Sequence, residues 1–351
     1  MTDPATRQES PLRSFGMPLL FCCIGVAVAL FLLERNLSWE RVVARIVGTD
    51  FRHVPPEWIG YEQTAIFAVP IEGQAISFAV IHEHDLTFVI GTANPHTLSF
   101  VDMTGTLLRQ IDLPDEPRAI AIGTLETIFT DKIVVAHRYF VAVYDSRGFL
   151  EIGWDLPHAN CNVRSLVLTS DYVFAADTFG RRILRFTPSG NHDLSFAPDD
   201  GFIVFVSPIV MTHCPRTDLL YIANPGRHRV DVFTQDGVYM PELSWGRASR
   251  ELAGFVGCCN PIGLAVLDDG RILTVEKAAS RIKLFREGEL DSVVAGWDIL
   301  ESFPPEFRRL PLRRGGRDFA AVPLSEGRIA VFDFDHKAVR IVAPIGSAGG
   351  D

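Results

Sequence analysis

The sequence predicts an all-β protein, a six-bladed β-propeller preceded by one N-terminal transmembrane helix. Three observations carry the propeller. A strand–turn–strand unit recurs with a period of roughly forty-odd residues, the mark of a radial or stacked repeat. Two of its copies open with the same dipeptide, Cys161-Asn162 and Cys259-Asn260. Glycine-ended turns fall at matching places: Thr104-Gly105, Arg147-Gly148, Ser189-Gly190, Asp236-Gly237 and Glu287-Gly288. Glycine there supplies the positive φ that tight hairpins need.

Taken in chain order, residues 1–14 form a polar tail, and Phe15–Leu33 runs without a charge. At about 1.5 Å per residue that length crosses a hydrocarbon core of roughly 30 Å. Arginines flank the segment on both sides, so charge alone does not orient it. A cleaved signal peptide ending near Ala27-Val28-Ala29 is the alternative, but the apolar run continues past Ala29. Residues 34–61 are mixed and polar, contain Pro55-Pro56, and read as a stalk.

The propeller is expected over residues 62–346, with 347–351 as a C-terminal tail. Unit one has strands near Ile76–Ile81, Thr87–Gly91, Leu98–Asp102 and Thr106–Leu113. Unit two runs from Arg118 to its turn at Gly148, and unit three from Cys161 to Gly190. Unit four runs from Ser207 to Gly237, and unit five from Cys259 to Gly288. Unit six, from Asp318 to Val342, runs out after three strands. Glu62–Pro70 is then the expected fourth strand, closing the ring and removing its open edges.

Units three to five resemble NHL repeats, whose third strand follows an Asp-small-Gly/Asn-Arg/His-x-Ile/Val pattern. Here it reads Asp177-Thr178-Phe179-Gly180-Arg181-Arg182-Ile183 and Asn224-Pro225-Gly226-Arg227-His228-Arg229-Val230. The run Gly257-Cys258-Cys259-Asn260-Pro261, with Trp245-Gly246 and Glu276-Lys277 around it, is similar to a group of bacterial membrane-anchored NHL-repeat proteins. That resemblance implies a fold and an anchor, and no reaction.

Propeller connectivity brings the residues entering strand one and leaving strand two of each blade to one mouth of the central channel. His158, Asn160, Cys161, Asn162, Asp177, Asn224, Cys258, Cys259, Asn260, Glu276 and Lys277 are the candidates so grouped, and Cys214 falls on the opposite face. The cysteines admit three readings: a disulfide in an oxidising compartment, a metal or redox site completed by His158, or small residues where blades crowd the axis. Glu276 beside amides resembles the set that holds a hard divalent ion in propeller lactonases and lyases. Its plainer reading is an ion pair with Lys277 or Arg281 that also caps loop backbone.

A formal charge of −10 argues against general nucleic-acid binding. The basic run Arg308, Arg309, Arg313, Arg314 and Arg317 suits either a solvated loop or an anionic surface. No Ser-His-Asp spacing, phosphate loop or paired Cys-x-x-Cys appears. The expected function is a membrane-anchored, extracytoplasmic module binding a protein or small ligand. The alternative is a metal-dependent enzyme or redox protein using Cys161, Cys258, Cys259 and Glu276.

Overall fold

Six antiparallel sheets follow one another along the chain in a computed structural model that describes residues 51–82, 86–305, 307 and 318–346. The apolar segment Phe15–Leu33, the tail, most of the stalk, the basic run 308–317 and residues 347–351 lie outside the described residues. Among the described residues no helix is long and apolar enough to cross a membrane.

Strand β1 (Tyr61–Ala68) opens the chain. Blade I holds β2 (Gln74–Ile81), β3 (Thr87–Ala93), β4 (Thr97–Val101) and β5 (Leu107–Asp112). Blade II holds β6 (Ala119–Ile122), β7 (Ile133–Ala136), β8 (Phe140–Tyr144) and β9 (Leu150–Asp155). Blade III holds β10 (Val163–Leu168), β11 (Val173–Asp177), β12 (Arg182–Phe186) and β13 (His192–Phe196). Blade IV has β14 (Met211–Cys214), β15 (Leu219–Asn224) and β16 (Arg229–Thr234). Blade V holds β17 (Gly263–Val266), β18 (Ile272–Glu276), β19 (Arg281–Arg286) and β20 (Glu289–Ala295). Blade VI has β21 (Phe319–Pro323), β22 (Ile329–Asp333) and β23 (Ala338–Pro344), completed by β1.

The innermost strands β2, β6, β10, β14, β17 and β21 neighbour one another in that order, and β21 returns to β2. The ring is closed, as expected, by β1 pairing antiparallel with β23 from Tyr61↔Pro344 to Ala68↔Ala338. Residues on the stalk side of the boundary expected at residue 61 also touch the propeller. Val54 is buried, Gly60 N–H donates to Val293 O at 3.1 Å, and Ile345 N–H donates to Gly60 O at 3.0 Å. These flanking residues add to the closure made by the strand.

The turns that follow the third strand of blades I to IV are built locally. Asp102 Oδ1 accepts the N–H groups of Thr104 and Thr106 at 2.8 and 2.9 Å, and Asp145 Oδ1 accepts those of Arg147 and Phe149. Thr187 and Thr234 do the same with their hydroxyls for Asn191 and Val238. These are side-chain turns that hold their own backbone. The turn glycine also makes room for the preceding blade. Trp154 lies over Gly190, where an added Cβ would meet the indole at 2.7 Å, and Trp245 lies over Gly288. Phe67, Ile111 and Phe196 cover Gly105, Gly148 and Gly237 in the same way. At the non-covalent junction in blade VI, Gly60 takes this place beneath Ser292 of β20.

Blade IV departs from the repeat. Its outer position holds two isolated bridges, Phe233↔Tyr239 and Val230↔Trp245, around a 3-10 turn at Pro241–Leu243. The chain turns at Pro241–Leu243 between these two bridges, so no continuous fourth strand is formed there. Arg229 pairs with Asp231, and with Asp200 at 3.1 Å, on that side of the blade.

Apolar clusters fill the interfaces between blades. Those joining II to III and V to VI are large, whereas the one joining IV to V is reduced to Val230, Phe255 and Phe285 among fully buried residues. Tyr221, Trp245, Leu264 and Leu290 pack around these three, and the buried charges of Glu276, Arg281 and Lys283 lie in blade V beside them.

Candidate functional site

Strand two ends, and strand one begins, on the same face of each blade, so their loops form one mouth. In blade III the N–H of Asn162 and that of Gly180 both donate to Asp177 Oδ1, at 2.9 and 3.1 Å. Arg182 Nε reaches Asp177 Oδ2 at 3.3 Å. A Cβ at Gly180 would lie 2.1 Å from that oxygen, so only glycine lets the carboxylate sit here. Cys161 is buried beside Asp177 in the cluster between blades II and III. Burial, followed by the Asp177 charge, pushes its thiol pKa up. His158 and Asn160 are exposed just before it.

In blade IV, Asn224 is buried. It accepts from Ile203 N–H at 3.0 Å and donates to Asp231 at 2.9 Å. In blade V, Asn260 Oδ1 accepts the N–H of Lys277 at 2.9 Å, while its amide nitrogen donates to Val256 O. Cys258 is exposed and Cys259 buried. The Cys258 thiol pKa is raised mainly by its hydrogen bond with Cys259. None of Cys161, Cys214, Cys258 and Cys259 is in a disulfide. Cys214 ends β14, on the turn side opposite the mouth.

Glu276 takes the plainer of its two expected roles, pairing with Arg281 and capping loop backbone, rather than standing on the rim as a free carboxylate. It is fully buried between Lys283 Nζ at 2.7 Å and Arg281 at 3.1 Å, and it caps Val256 N–H at 3.2 Å. The partner is Lys283 as well as Arg281. Lys277 turns away to Asp318 at 2.9 Å. Lys283 also donates to Gly254 O and Leu252 O at 2.7 and 3.0 Å and lies over the Phe255 ring. Its pKa is lowered to about 8, chiefly by desolvation, against which Glu276 acts in part. Together these groups pin the long 246–262 connection onto blade V.

The asparagine and acidic candidates thus hold the mouth loops in place, with their polar atoms engaged by backbone and neighbouring ions. Among the described residues no three His, Cys, Asp or Glu side chains converge as a metal ligand set.

Other residues reach the mouth. Arg118 bonds Glu116 Oε2 at 3.1 Å and Asn162 Oδ1 at 3.2 Å, and Arg138 approaches the same Glu116 oxygen at 3.6 Å. Arg164 lies two residues beyond Asn162, where β10 is bulged between Val163 and Leu166. It is half-buried, and burial, then the nearby Arg118 charge, lower its pKa. Around them the same face exposes Tyr139 (54%), Phe179 (70%), Phe205 (69%) and Val206 (73%). The sequence carried one signal for this cluster. In the aligned openings Cys161-Asn162-Val163-Arg164 and Cys259-Asn260-Pro261-Ile262, a charge replaces an apolar residue.

No family model and no curated protein matches this chain. Solved structures do, at the level of fold. The virginiamycin B lyase of Staphylococcus aureus aligns with TM-score 0.54 at 10% identity, over 81% of this chain and all of that one. A streptogramin B lyase structure aligns with TM-score 0.54 at 11% identity, over 83% of this chain and all of that one. A protein of unknown function from Bacteroides thetaiotaomicron aligns with TM-score 0.54 at 13% identity, over 81% of this chain and 72% of that one. The chain is a six-bladed β-propeller of NHL-like fold. At these identities the likeness extends to the fold and no further.

Proposed function

We propose that the chain is a membrane-anchored binding module, held by Phe15–Leu33, whose propeller works outside the cytoplasm and takes a protein or small ligand at its mouth. One observation carries this reading. Tyr139, Phe179, Phe205 and Val206 are exposed on the same face as the Arg118–Glu116–Arg164 cluster. Grouped exposed apolar side chains around polar groups are the usual composition of an interaction surface. The Gly257–Pro261 signature supports the anchor, and its loop, pinned by Lys283, gives that side of the mouth a rigid wall.

Two measurements test the proposal. The full chain should stay in the membrane pellet after alkaline extraction, and a chain lacking residues 1–51 should not; recovery of the full, unprocessed chain in the supernatant refutes the anchor. A photo-crosslinking residue at Phe179 should yield adducts in cells, whereas one at Leu125, exposed on the opposite face, should not. Equal labelling, or none at Phe179, refutes the mouth.

A further inference from the structure

Arg164 stands apart from the other cations of the mouth. Among the described residues it has no hydrogen bond and no ion pair, whereas Arg118 has Glu116 and Asn162, and Arg182 has Asp177. Its position is nonetheless enclosed. The bulge of β10 turns it out of the regular ladder, and the next residue, Ser165, is tied to blade IV through Met211 N–H and O at 3.1 and 3.4 Å. A single carboxylate, Glu116, already serves Arg118 and Arg138. Asp115, the other acid on this loop, accepts the backbone N–H of Arg138 at 3.1 Å. A half-buried guanidinium beside a second guanidinium, with Glu116 as its nearby carboxylate already paired to two other arginines, destabilises the empty protein, because desolvation and like-charge repulsion outweigh that shared attraction. An anion placed between them removes both penalties, and a planar guanidinium suits the two oxygens of a carboxylate or phosphate.

We propose that the mouth between blades II and III binds the anionic group, carboxylate or phosphate, of a small ligand. Arg164 is its principal counter-charge and Arg118 its second contact. The proposal rests on the mouth as the binding face and names the chemistry recognised there. Tyr139 and Phe179, on the strand-two-to-three loops of the same two blades, would border the rest of the molecule.

The test is thermal unfolding of the detergent-purified full chain in chloride, phosphate or succinate at equal ionic strength. The expected result is an upward shift of at least about 2 °C in phosphate or in succinate over chloride. The anion giving the shift identifies the source. R164Q should lose that shift, yet unfold in chloride at the same temperature as wild type or higher, since the unpaired charge is gone. R247Q, whose arginine pairs with Glu251 at the surface, should respond as wild type. No anion effect, an unchanged effect in R164Q, or a lower midpoint of R164Q in chloride would each overturn the proposal. The last would make Arg164 a scaffold residue. If the Phe179 crosslinks persist while the anion effect is absent, the mouth stands and only its anionic chemistry falls.

Discussion

Blades III and V open with the same Cys-Asn pair and share one register, yet they meet their preceding blades by opposite means. In blade III, Ala175 faces Leu184 across the ladder, and both join the apolar cluster with blade II. In blade V the corresponding pair is Thr274 and Lys283. Asp177 is short and stays at the loop with Arg182. Glu276 is one methylene longer and reaches both Arg281 and Lys283. The difference teaches how a repeat acquires a special face. Blade III uses that surface to pack, and blade V gives up packing to clasp a long loop over the seam with blade IV.

The largest effect expected from breaking this contrast is at Glu276. E276A leaves Lys283 and Arg281 buried without their carboxylate, and should cost about 3–5 kcal/mol in denaturant unfolding. D177A removes hydrogen bonds beside the half-exposed Arg182, and should cost about 1–3 kcal/mol. Equal losses would erase the distinction between the two blades.

The next effect is pH dependence. Lys283 titrates near 8 in the folded protein, against 10.5 for a free lysine. Between those values the unfolded chain holds a proton that the native protein has released, so this group makes stability rise with pH across that window. Below the native value both states are protonated, and the cost of the buried charge is fully present. Relative to K283M, the wild type should therefore gain up to about 3 kcal/mol from pH 8 to 10.5. Parallel curves for the two proteins would show that Lys283 does not titrate there.

A smaller difference lies at the hairpins. Gly190 and Gly288 have φ of 82° and 83°, so alanine is strained at both. At Gly190 its Cβ would also meet Trp154 at 2.7 Å, against 3.2 Å from Trp245 at Gly288. G190A should lower stability by about 1 kcal/mol more than G288A, read from paired unfolding midpoints.

The smallest net change is expected when blade V receives blade III's residues. T274A/E276D/K283L replaces a buried ionic group by apolar contact, an exchange that is often close to neutral. Its signature would be kinetic. Without Lys283 holding Leu252 O and Gly254 O, proteolysis between Arg250 and Gly254 should become faster. An unchanged cleavage rate would mean that Lys283 does not hold the loop.

Much of the fold was legible in the sequence because its signals are local and repeated. The recurring unit, the paired Cys161-Asn162 and Cys259-Asn260 openings, the turn glycines and the missing last strand of unit six together imply six blades and closure by β1. Blade IV was harder to read. Gly237 looked like the other turns, and only the bridges around Pro241 show that no full outer strand follows.

At the mouth the sequence placed Asn162, Asp177, Asn224, Asn260 and Glu276 by topology alone. It did not show that their polar atoms are already engaged, because several partners are distant in sequence: Arg118 lies 44 residues from Asn162, Ile203 21 from Asn224, and Val256 20 from Glu276. Repeat number, hairpin geometry and ring order follow from short-range patterns of burial and positive φ, which each unit states for itself. Which charges are satisfied, and that Arg164 is left over beside Arg118, was decided only by the tertiary structure. Pairing depends on what neighbouring blades present across an interface, and no single repeat contains that information.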